Sequence, residues 1–512
     1  MKRETWSSRS TFILAAIGSA VGLGNAWRFP GLAAQYGGGS FLMVYLIAMI
    51  VLGIPLLMME IAIGRKMRQG APGSLSGINK NLEPIGWAAT TNAFVVVTYY
   101  SAIFAWVLIM VVGSFKFANM TGDTEAASKV FPNIIQTSWQ ISGHTIPMVC
   151  LFGIIVAWTL IYYCIRNGAK SVDAVIKYIV FLPIILLGFM ALKGITMSGS
   201  AEGLYRLFVP DLSALANVQL WIDAVGQVFF SMSIMMAVMF AYGSFLDKKS
   251  NIAVDATIIA FADMSVSLLS GIVMFTTMSG AGMLDNISTS GIATAFIIYP
   301  QTIVSLTSIG WLNSLFGVFF YLTLVTLAID SAFSIVQGVS TAISDKFKLS
   351  PNKTTKYVCL TSFIFSLIFV TRAGLAWLDI VDNWTNQYNL ILIGVFECIA
   401  VGWMFNVEKV REEVNKNTNK FKVPSWWFNI SIKYLAPILL IVLFVWNIAN
   451  LFIKNNGIYG DYPWWANIAG GWMVSAIVLL SGFIIKLIVK RKSKQGFIEE
   501  SISWEDMNED SN

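Results

Sequence analysis

The sequence has little charge and almost no histidine. Charged residues make up only 12% of the 512 residues, about half of the usual quarter, and His144 is the only histidine. So few charges could not cover the surfaces of several soluble domains. A single histidine argues against histidine catalysis and against a metal site built from a histidine cluster.

Cysteine is equally scarce, with four residues, and each lies inside an apolar run. Their positions lack the spacing of metal ligands, so we expect core or lipid-facing thiols: Cys150, Cys164, Cys359 and Cys398. No nucleophile and base form a recognisable pattern, which argues against an enzyme. A secreted disulfide scaffold is excluded as well.

Apolar residues are abundant instead, at 56% of the chain, with 18 Trp and 35 Phe. An apolar run needs about 20 residues to cross a membrane as a helix. Twelve runs approach or exceed that length, at 11–35, 40–64, 88–114, 146–165, 173–193, 219–245, 252–278, 311–343, 357–372, 386–406, 434–453 and 466–488. The sequence therefore predicts an all-α protein that crosses the lipid bilayer twelve times.

Basic residues predict the orientation of these spans. Placing the N-terminus in the cytoplasm puts about twenty-five Lys and Arg on the inside and about six on the outside. An even number of spans returns the C-terminus to the cytoplasm. The net charge of +6 is thus explained by cytoplasmic loops rather than by nucleic-acid binding. The tail 491–512 is polar and acidic, and we expect disorder from Gln495.

Two spans contain polar or flexible residues at their centre. The first reads GSAVGLGN over 18–25, and the sixth reads GQVFFSMS over 226–233. Breaks in spans five apart suggest two inverted copies of five helices, with a binding site where the breaks meet. Close helix packing through small residues is the alternative. Asn25 and Arg28 beside the first break favour a site.

Four carboxylates lie within predicted spans, where charge is costly. Asp263 and Asp330 have hydroxyl neighbours (Ser265, Ser267 and Ser331), which favours ligation of a hard cation by oxygen. For Glu60 and Glu397, a structural hydrogen bond to the backbone of a broken helix is as good an interpretation as a direct functional role.

The motifs then point to a family. The segment 20–30 (AVGLGNAWRFP), Gly37–Phe41, and Gly53–Pro55 with Glu60 resemble the first two helices of the neurotransmitter:sodium symporters, the family of the bacterial leucine transporter and of animal amino-acid and monoamine transporters. The segment 226–231, Asp330 with Ser331, and 378–382, placed before the tenth span, extend the resemblance over about 480 residues.

The resemblance implies the fold of the bacterial leucine transporter. A single transporter domain would span 1–490, with inverted repeats at 11–193 and 219–406 and two additional helices at 434–488. It also implies sodium-coupled import of an amino acid by alternating access, with two sodium ions and no organic cofactor.

The ligands implied for sodium fall into two sets. One comprises the Ala20 carbonyl with the side chains of Asn25, Ser231 and Asp263. The other comprises the carbonyls of Gly18, Val21 and Leu327 with the side chains of Asp330 and Ser331.

The substrate carboxylate would meet the half-helix that follows Gly22–Gly24, and Tyr100 would donate a hydrogen bond to it. The rest of the substrate would lie among Ser19, Ala20, Leu23, Val96, Phe230, Ser231, Ser233, Met236 and Ile335. Ordinary helix packing remains an alternative for Val96, Met236 and Ile335.

Two gates are also implied by the resemblance. Arg28 and Asp382 would close the outer side with Phe230 as a lid. The cytoplasmic gate would comprise Arg3, Trp6, Ser244 and Asp345.

Three positions bear on the substrate, the pocket and the need for chloride: Gly22, Met235 and Asp263. Gly22 stands where amine transporters of the family carry aspartate, which favours a substrate with its own carboxylate. The apolar pocket then suggests a neutral hydrophobic amino acid. Met235 stands where a glycine is expected, so the pocket size and the extent of unwinding depend on its direction.

Asp263 replaces the asparagine of animal members and predicts independence from chloride, although residues resembling chloride ligands remain: Tyr45, Gln227, Ser231 and Ser267. A non-transporting sensor or scaffold on the same fold, and a symporter of another carboxylate-bearing amine, are the alternatives. The compact loops suggest a bacterial cytoplasmic membrane.

Overall fold

The chain folds almost entirely into helices. The computed structural model describes residues 4–287, 290–418, 421–494 and 503–507. Nine long apolar helices in this described part are continuous: helix 2 (Gly39–Met67), helix 3 (Glu83–Asn119), helix 4 (Met148–Ile165), helix 5 (Ala169–Ile195), helix 7 (Ile252–Gly280), helix 8 (Gly310–Phe347), helix 9 (Pro351–Val370), helix 11 (Ser425–Ile453) and helix 12 (Trp464–Ile488). Helices suit a membrane because every backbone group is paired within its own segment.

Three further spans bring the number to the predicted twelve. Helix 1 consists of Arg9–Ala20 and Gly24–Gln35, which meet at 52°. Helix 6 consists of Val218–Ser231 and Val238–Ser244. Helix 10 covers Gly374–Gly402.

Helix 10 begins twelve residues before the predicted start at 386, so Leu378 and Asp382 lie inside it rather than before it. The prediction was wrong there because Asp379, Asp382 and Asn383 lower the local hydropathy. The helix is enclosed largely by protein, where polar residues can find partners.

The break in helix 6 is complete despite the absence of glycine. Ser233, Met235 and Ala237 have φ angles of 51°, 67° and 60°. A left-handed conformation costs an L-residue about 1–2 kcal/mol. Met235 therefore does not prevent unwinding, and the surrounding structure must stabilise a conformation that glycine would adopt freely.

The outer segment between helices 7 and 8 contains a short apolar helix, Gly291–Val304. Phe296 stacks on Phe131, in the segment between helices 3 and 4, at 4.4 Å, and Tyr299 stacks on Phe320 of helix 8 at 4.0 Å between ring centroids. The segment between helices 7 and 8 therefore packs on neighbouring helices of the protein.

Residues 503–507 of the acidic tail, the described part beyond Lys494, lie against the helices. Trp504 is buried, and its backbone N–H donates to the Gly77 carbonyl at 2.8 Å. Its ring lies 5.3 Å from that of Phe405, and the Lys66 ammonium lies 5.7 Å from the Trp504 ring centroid. A single tryptophan among acidic residues thus makes an apolar contact that the polar composition of the tail did not predict.

The second half of helix 6 packs on helix 2 through two glycines. A Cβ on Gly64 would lie 2.2 Å from the Phe240 carbonyl oxygen, and a Cβ on Gly243 would lie 2.5 Å from the Ile61 carbonyl oxygen. The two backbones therefore approach more closely than any side chain would allow. This contact fixes one end of the helix 6 break.

We expect Gly64→Val to destabilise the protein by about 1–3 kcal/mol, because the new side chain would meet backbone that cannot rotate away. Thermal unfolding in detergent measures the effect. Gly188→Val in helix 5 is the matched control, since a Cβ on Gly188 has no neighbour within 4 Å in the described structure. Equal melting of the two variants would contradict the close contact.

Candidate functional site

The broken segments of helices 1 and 6 face each other at the centre of the bundle. The Ser233 hydroxyl donates to the Ser19 carbonyl at 2.8 Å, and the Gln227 amide donates to the Gly24 carbonyl at 3.4 Å. A Cβ on Gly24 would lie 2.7 Å from the Phe230 ring. The predicted juxtaposition of the two breaks is thus present, and side chains of helix 6 donate to backbone carbonyls of helix 1 on both sides of its break.

A cluster of buried polar side chains surrounds Asp263 in helix 7. One carboxylate oxygen accepts from the Asn25 amide at 2.6 Å. The other accepts from the hydroxyls of Ser231 at 2.9 Å and Tyr45 at 3.1 Å. Asn25 also donates to the Ser267 hydroxyl at 2.8 Å. Residues from helices 1, 2, 6 and 7 therefore converge on one carboxylate.

Two residues assigned to this neighbourhood lie elsewhere. Ser265 is exposed and donates to the Phe261 carbonyl within its own helix, so it is no partner of Asp263. The helical period places residue 265 on the face opposite 263 and 267. Gln227 binds the Gly24 carbonyl rather than joining Tyr45 and Ser231.

Asp330 in helix 8 lies against the first part of helix 1. A Cβ on Gly18 would lie 1.7 Å from a carboxylate oxygen of Asp330, so only glycine permits this approach. Asp330 is 1% exposed, and neither carboxylate oxygen has a hydrogen-bond partner in the described structure. The cavity beside it is lined by Gly18, Val21 and Leu327 together with apolar residues of helix 5. A charged carboxylate buried without a donor is strongly destabilising, so Asp330 must either carry a proton or be neutralised by a bound cation.

Ser331 and Tyr100 lie between the two carboxylate sites, next to the helix 1 break. A Cβ on Gly22 would lie 2.8 Å from the Ser331 hydroxyl and 3.6 Å from the Tyr100 hydroxyl. The Leu23 N–H points at the Tyr100 hydroxyl at 3.5 Å, and the Ser331 hydroxyl donates to the Leu327 carbonyl at 3.3 Å. The Leu23 N–H and the hydroxyls of Tyr100 and Ser331 thus lie close to Gly22, whose own N–H donates to the Asn25 side-chain carbonyl at 2.9 Å.

The remaining predicted substrate residues are buried around the same breaks. Val96 is in helix 3, Met236 in the helix 6 break and Ile335 in helix 8. Ser19, Ala20 and Leu23 are buried in helix 1 or its break, whereas Phe230 is half-buried.

Met235 packs against helix 10 and lines a cavity together with Arg28 and Phe230. A Cβ on Gly394 of helix 10 would lie 2.1 Å from the Met235 sulfur, so the side chain is directed at helix 10. The Met235 N–H donates to the Glu60 carboxylate at 2.6 Å. Glu60 thus makes the hydrogen bond to broken-helix backbone that was one of its two interpretations from the sequence. Glu397 makes no such bond within the described residues.

The predicted outer gate is not closed by an ion pair. The Arg28 guanidinium lies over the Phe230 ring, 5.3 Å from its centroid, and Asp382 accepts from the Asn386 amide at 2.8 Å. One helical turn earlier, Asp379 accepts from the hydroxyl of Tyr462 at 2.8 Å. Burial and the neighbouring Asp379 raise the pKa of Tyr462, so its hydroxyl remains a donor. The sequence did not predict Tyr462 as a partner of Asp379, because the two residues lie far apart along the chain.

At the predicted cytoplasmic gate, the Trp6 ring packs edge-on against the rings of Tyr242 and Phe245. The Trp6 indole N–H donates to the Tyr242 carbonyl at 3.1 Å, and the Trp6 backbone N–H donates to the Phe245 carbonyl at 3.1 Å. Asp345 accepts from the Gly70 N–H at 2.8 Å, and Arg68 donates to the Ser244 carbonyl at 3.2 Å. Arg3 lies outside the described residues. The aromatic partners of Trp6 carried no signal in the sequence beyond apolar character.

Comparisons with known proteins agree with this geometry. The model of the sodium:neurotransmitter symporter family matches residues 3–121 and 132–492. The uncharacterized sodium-dependent transporter MJ1319 of Methanocaldococcus jannaschii is 34% identical, covering 96% of this chain and 98% of that protein.

A second relative is the sodium-dependent neutral amino acid transporter B(0)AT3 of Rattus norvegicus, 27% identical, with 87% of this chain and 84% of the relative covered. Among solved structures, MhsT in complex with L-phenylalanine is similar, with a TM-score of 0.74 and 26% identity over 86% of this chain and 99% of MhsT. The chain therefore belongs to the sodium:neurotransmitter symporter family: it is an integral membrane, sodium-dependent symporter with the fold of the leucine transporter, and not an enzyme.

Proposed function

We propose that this symporter imports a neutral, mainly hydrophobic amino acid together with two sodium ions, by alternating access and without a requirement for chloride. The observation that carries the proposal is the buried Asp330 carboxylate, which has no hydrogen-bond donor in the described structure and lies against the break of helix 1.

The first proposed sodium ion binds near the Asp263 cluster, through Ala20, Asn25, Ser231 and Asp263. The second binds beside Asp330, through Gly18, Val21, Leu327, Asp330 and Ser331. The broken helix supports both assignments, because its carbonyl oxygens are not all consumed by helical hydrogen bonds. Two sodium ions entering at −100 mV supply about 4.6 kcal/mol, at about 2.3 kcal/mol per charge. That energy corresponds to a gradient of more than about a thousandfold for a neutral zwitterion.

Asp330→Asn should abolish sodium-driven uptake, because the substitution removes the charge that would neutralise the second ion while keeping the shape of the side chain. Uptake into proteoliposomes, measured against external sodium concentration, tests this. Ser265→Ala is the control, since Ser265 is exposed on helix 7 and should retain wild-type uptake. If the Asp330 variant kept the wild-type sodium affinity, the proposed second site would be wrong.

The substrate class rests on the surroundings of Gly22. A side chain there would meet Ser331, and the nearby backbone and Tyr100 hydroxyl suit a carboxylate. A substrate that brings its own carboxylate is therefore favoured over an amine. Buried Val96, Met236 and Ile335 favour an apolar side chain. The neutral amino acid transporter among the relatives and the L-phenylalanine complex of MhsT agree with this assignment.

We expect Tyr100→Phe to weaken amino-acid binding by about 1.5–3 kcal/mol, the range for a hydrogen bond to a charged group. Binding of a panel of labelled amino acids to the purified protein in sodium gives the measurement. Tyr163→Phe is the control, because Tyr163 is exposed on helix 4. Tight binding of phenethylamine in place of phenylalanine would refute the carboxylate assignment.

Chloride independence rests on the donors around Asp263. Two hydroxyls and one amide point at its oxygens, an arrangement that would also suit a bound anion. The fixed carboxylate then supplies the negative charge that sodium requires in a low-dielectric site. Tyr45, Ser231 and Ser267 remain nearby as residues that could hold chloride if the carboxylate were removed.

Wild-type uptake should be the same in chloride and in gluconate, whereas Asp263→Asn should be impaired or should become chloride-dependent. Sodium-driven uptake in each anion measures both. A wild-type protein that stops transporting in gluconate would disprove the substitution of chloride by Asp263.

The gates and the orientation complete the proposal. Arg28 and Asp382, with Phe230, form the outer gate, and Trp6, Ser244 and Asp345 form the inner gate with Arg3. The repeats 11–193 and 219–406 move relative to each other within one domain, 1–490. Both termini face the cytoplasm of a bacterial cell, because the basic loops lie on that side.

A further inference from the structure

Met235 and Gly394 form a close contact between the helix 6 break and helix 10. A Cβ on Gly394 would lie 2.1 Å from the Met235 sulfur, 2.6 Å from its terminal methyl carbon and 3.1 Å from a methyl carbon of Leu440 in helix 11. Met235 is fully buried. The methionine side chain therefore occupies the space that the missing side chain of Gly394 leaves open.

The backbone of the same residue is held from the other side. The Met235 N–H donates to the Glu60 carboxylate of helix 2 at 2.6 Å. Its φ of 67° is unfavourable for a residue with a Cβ. Helix 2 holds the backbone of Met235 while helix 10 holds its side chain, and both contacts offset the cost of the left-handed conformation.

Two residues earlier, the chain makes its contact with helix 1. The Ser233 hydroxyl donates to the Ser19 carbonyl at 2.8 Å, and Ser233 also has a positive φ, 51°. Ser231, which binds Asp263, lies two residues before that. A shift at Met235 would therefore be transmitted along a short unwound segment to both polar contacts.

We infer that Met235 is a positioning residue: its packing into the space beside Gly394 fixes the helix 6 break where it meets the helix 1 break, and so sets the affinity for sodium and for substrate. Met235 acts through Ser231 and Ser233. Both parts rest on the proposed function: the part that concerns substrate rests on the proposed substrate class, and the part that concerns sodium rests on the proposed site at Ser231 and Asp263.

The test first fills the space beside Gly394 with a larger side chain and then removes the Met235 side chain to make room for it. In Gly394→Val the new methyl groups would displace the Met235 side chain, and the double variant Met235→Gly/Gly394→Val would remove the conflict. Gly188→Val is the matched control, because its position in helix 5 has no neighbour within 4 Å in the described structure. Met235→Gly and Met235→Leu test the methionine alone.

The first readout needs no amino acid: the sodium concentration that gives half of the sodium-induced rise in the thermal unfolding midpoint. The second is the Kd of labelled L-phenylalanine in sodium. We expect Gly394→Val to raise both values at least about tenfold and the double variant to return within about threefold of wild type, since overpacking is relieved by a compensating loss of volume. Met235→Gly should raise both values, and Met235→Leu should not.

A double variant as impaired as Gly394→Val, or a Gly394→Val variant that matches Gly188→Val, would overturn the inference. If Gly394→Val fails to fold, Met235→Gly decides, and a wild-type sodium response in it would be equally fatal. A wild-type protein that shows the sodium response but binds no L-phenylalanine would count against the proposed substrate class, while the sodium readout would still test Met235.

Discussion

The structure depends on keeping unwound backbone satisfied inside the membrane. A helix that breaks at membrane depth frees carbonyl and N–H groups that lipid cannot bind, so protein groups or ions must take them. Here the Met235 N–H in the helix 6 break donates to the Glu60 carboxylate, and the Ser19 carbonyl beside the helix 1 break accepts from the Ser233 hydroxyl. Each break is therefore completed by side chains of other helices, which concentrates polar chemistry at one point in an apolar bundle.

Glycine makes this concentration possible by close approach rather than by flexibility. Gly18 admits the Asp330 carboxylate, and Gly22 lies beside Ser331, at distances that no Cβ would tolerate. In the helix 6 break the arrangement is reversed, because residues with side chains adopt positive φ angles and a neighbouring glycine, Gly394, makes the room. The two breaks thus reach similar unwinding through different means.

The number of spans followed from hydropathy, because lipid demands long apolar helices. The start of helix 10 did not follow from hydropathy, because Asp379 and Asp382 accept hydrogen bonds from other protein side chains. The Asp263 cluster could be predicted from motifs, but helical phase was needed to exclude Ser265. The direction of Met235 depends on Gly394, some 160 residues away, and the docking of Trp504 depends on Gly77. Such long-range contacts leave no local pattern.

Both gates connect to helix 1, on opposite sides of its break. Trp6, of the proposed inner gate, packs just before helix 1 begins, whereas Arg28, of the proposed outer gate, lies beyond the break and stacks on Phe230 without pairing with Asp382. The two parts of helix 1 meet at 52°; Asp330 lies against Gly18 of the first part, and Asn25 of the second part donates to Asp263. An ion bound at that junction, as proposed, would interact with both parts at once. Its differential affinity for the two arrangements of helix 1 can then favour closure on one side while the other stays open.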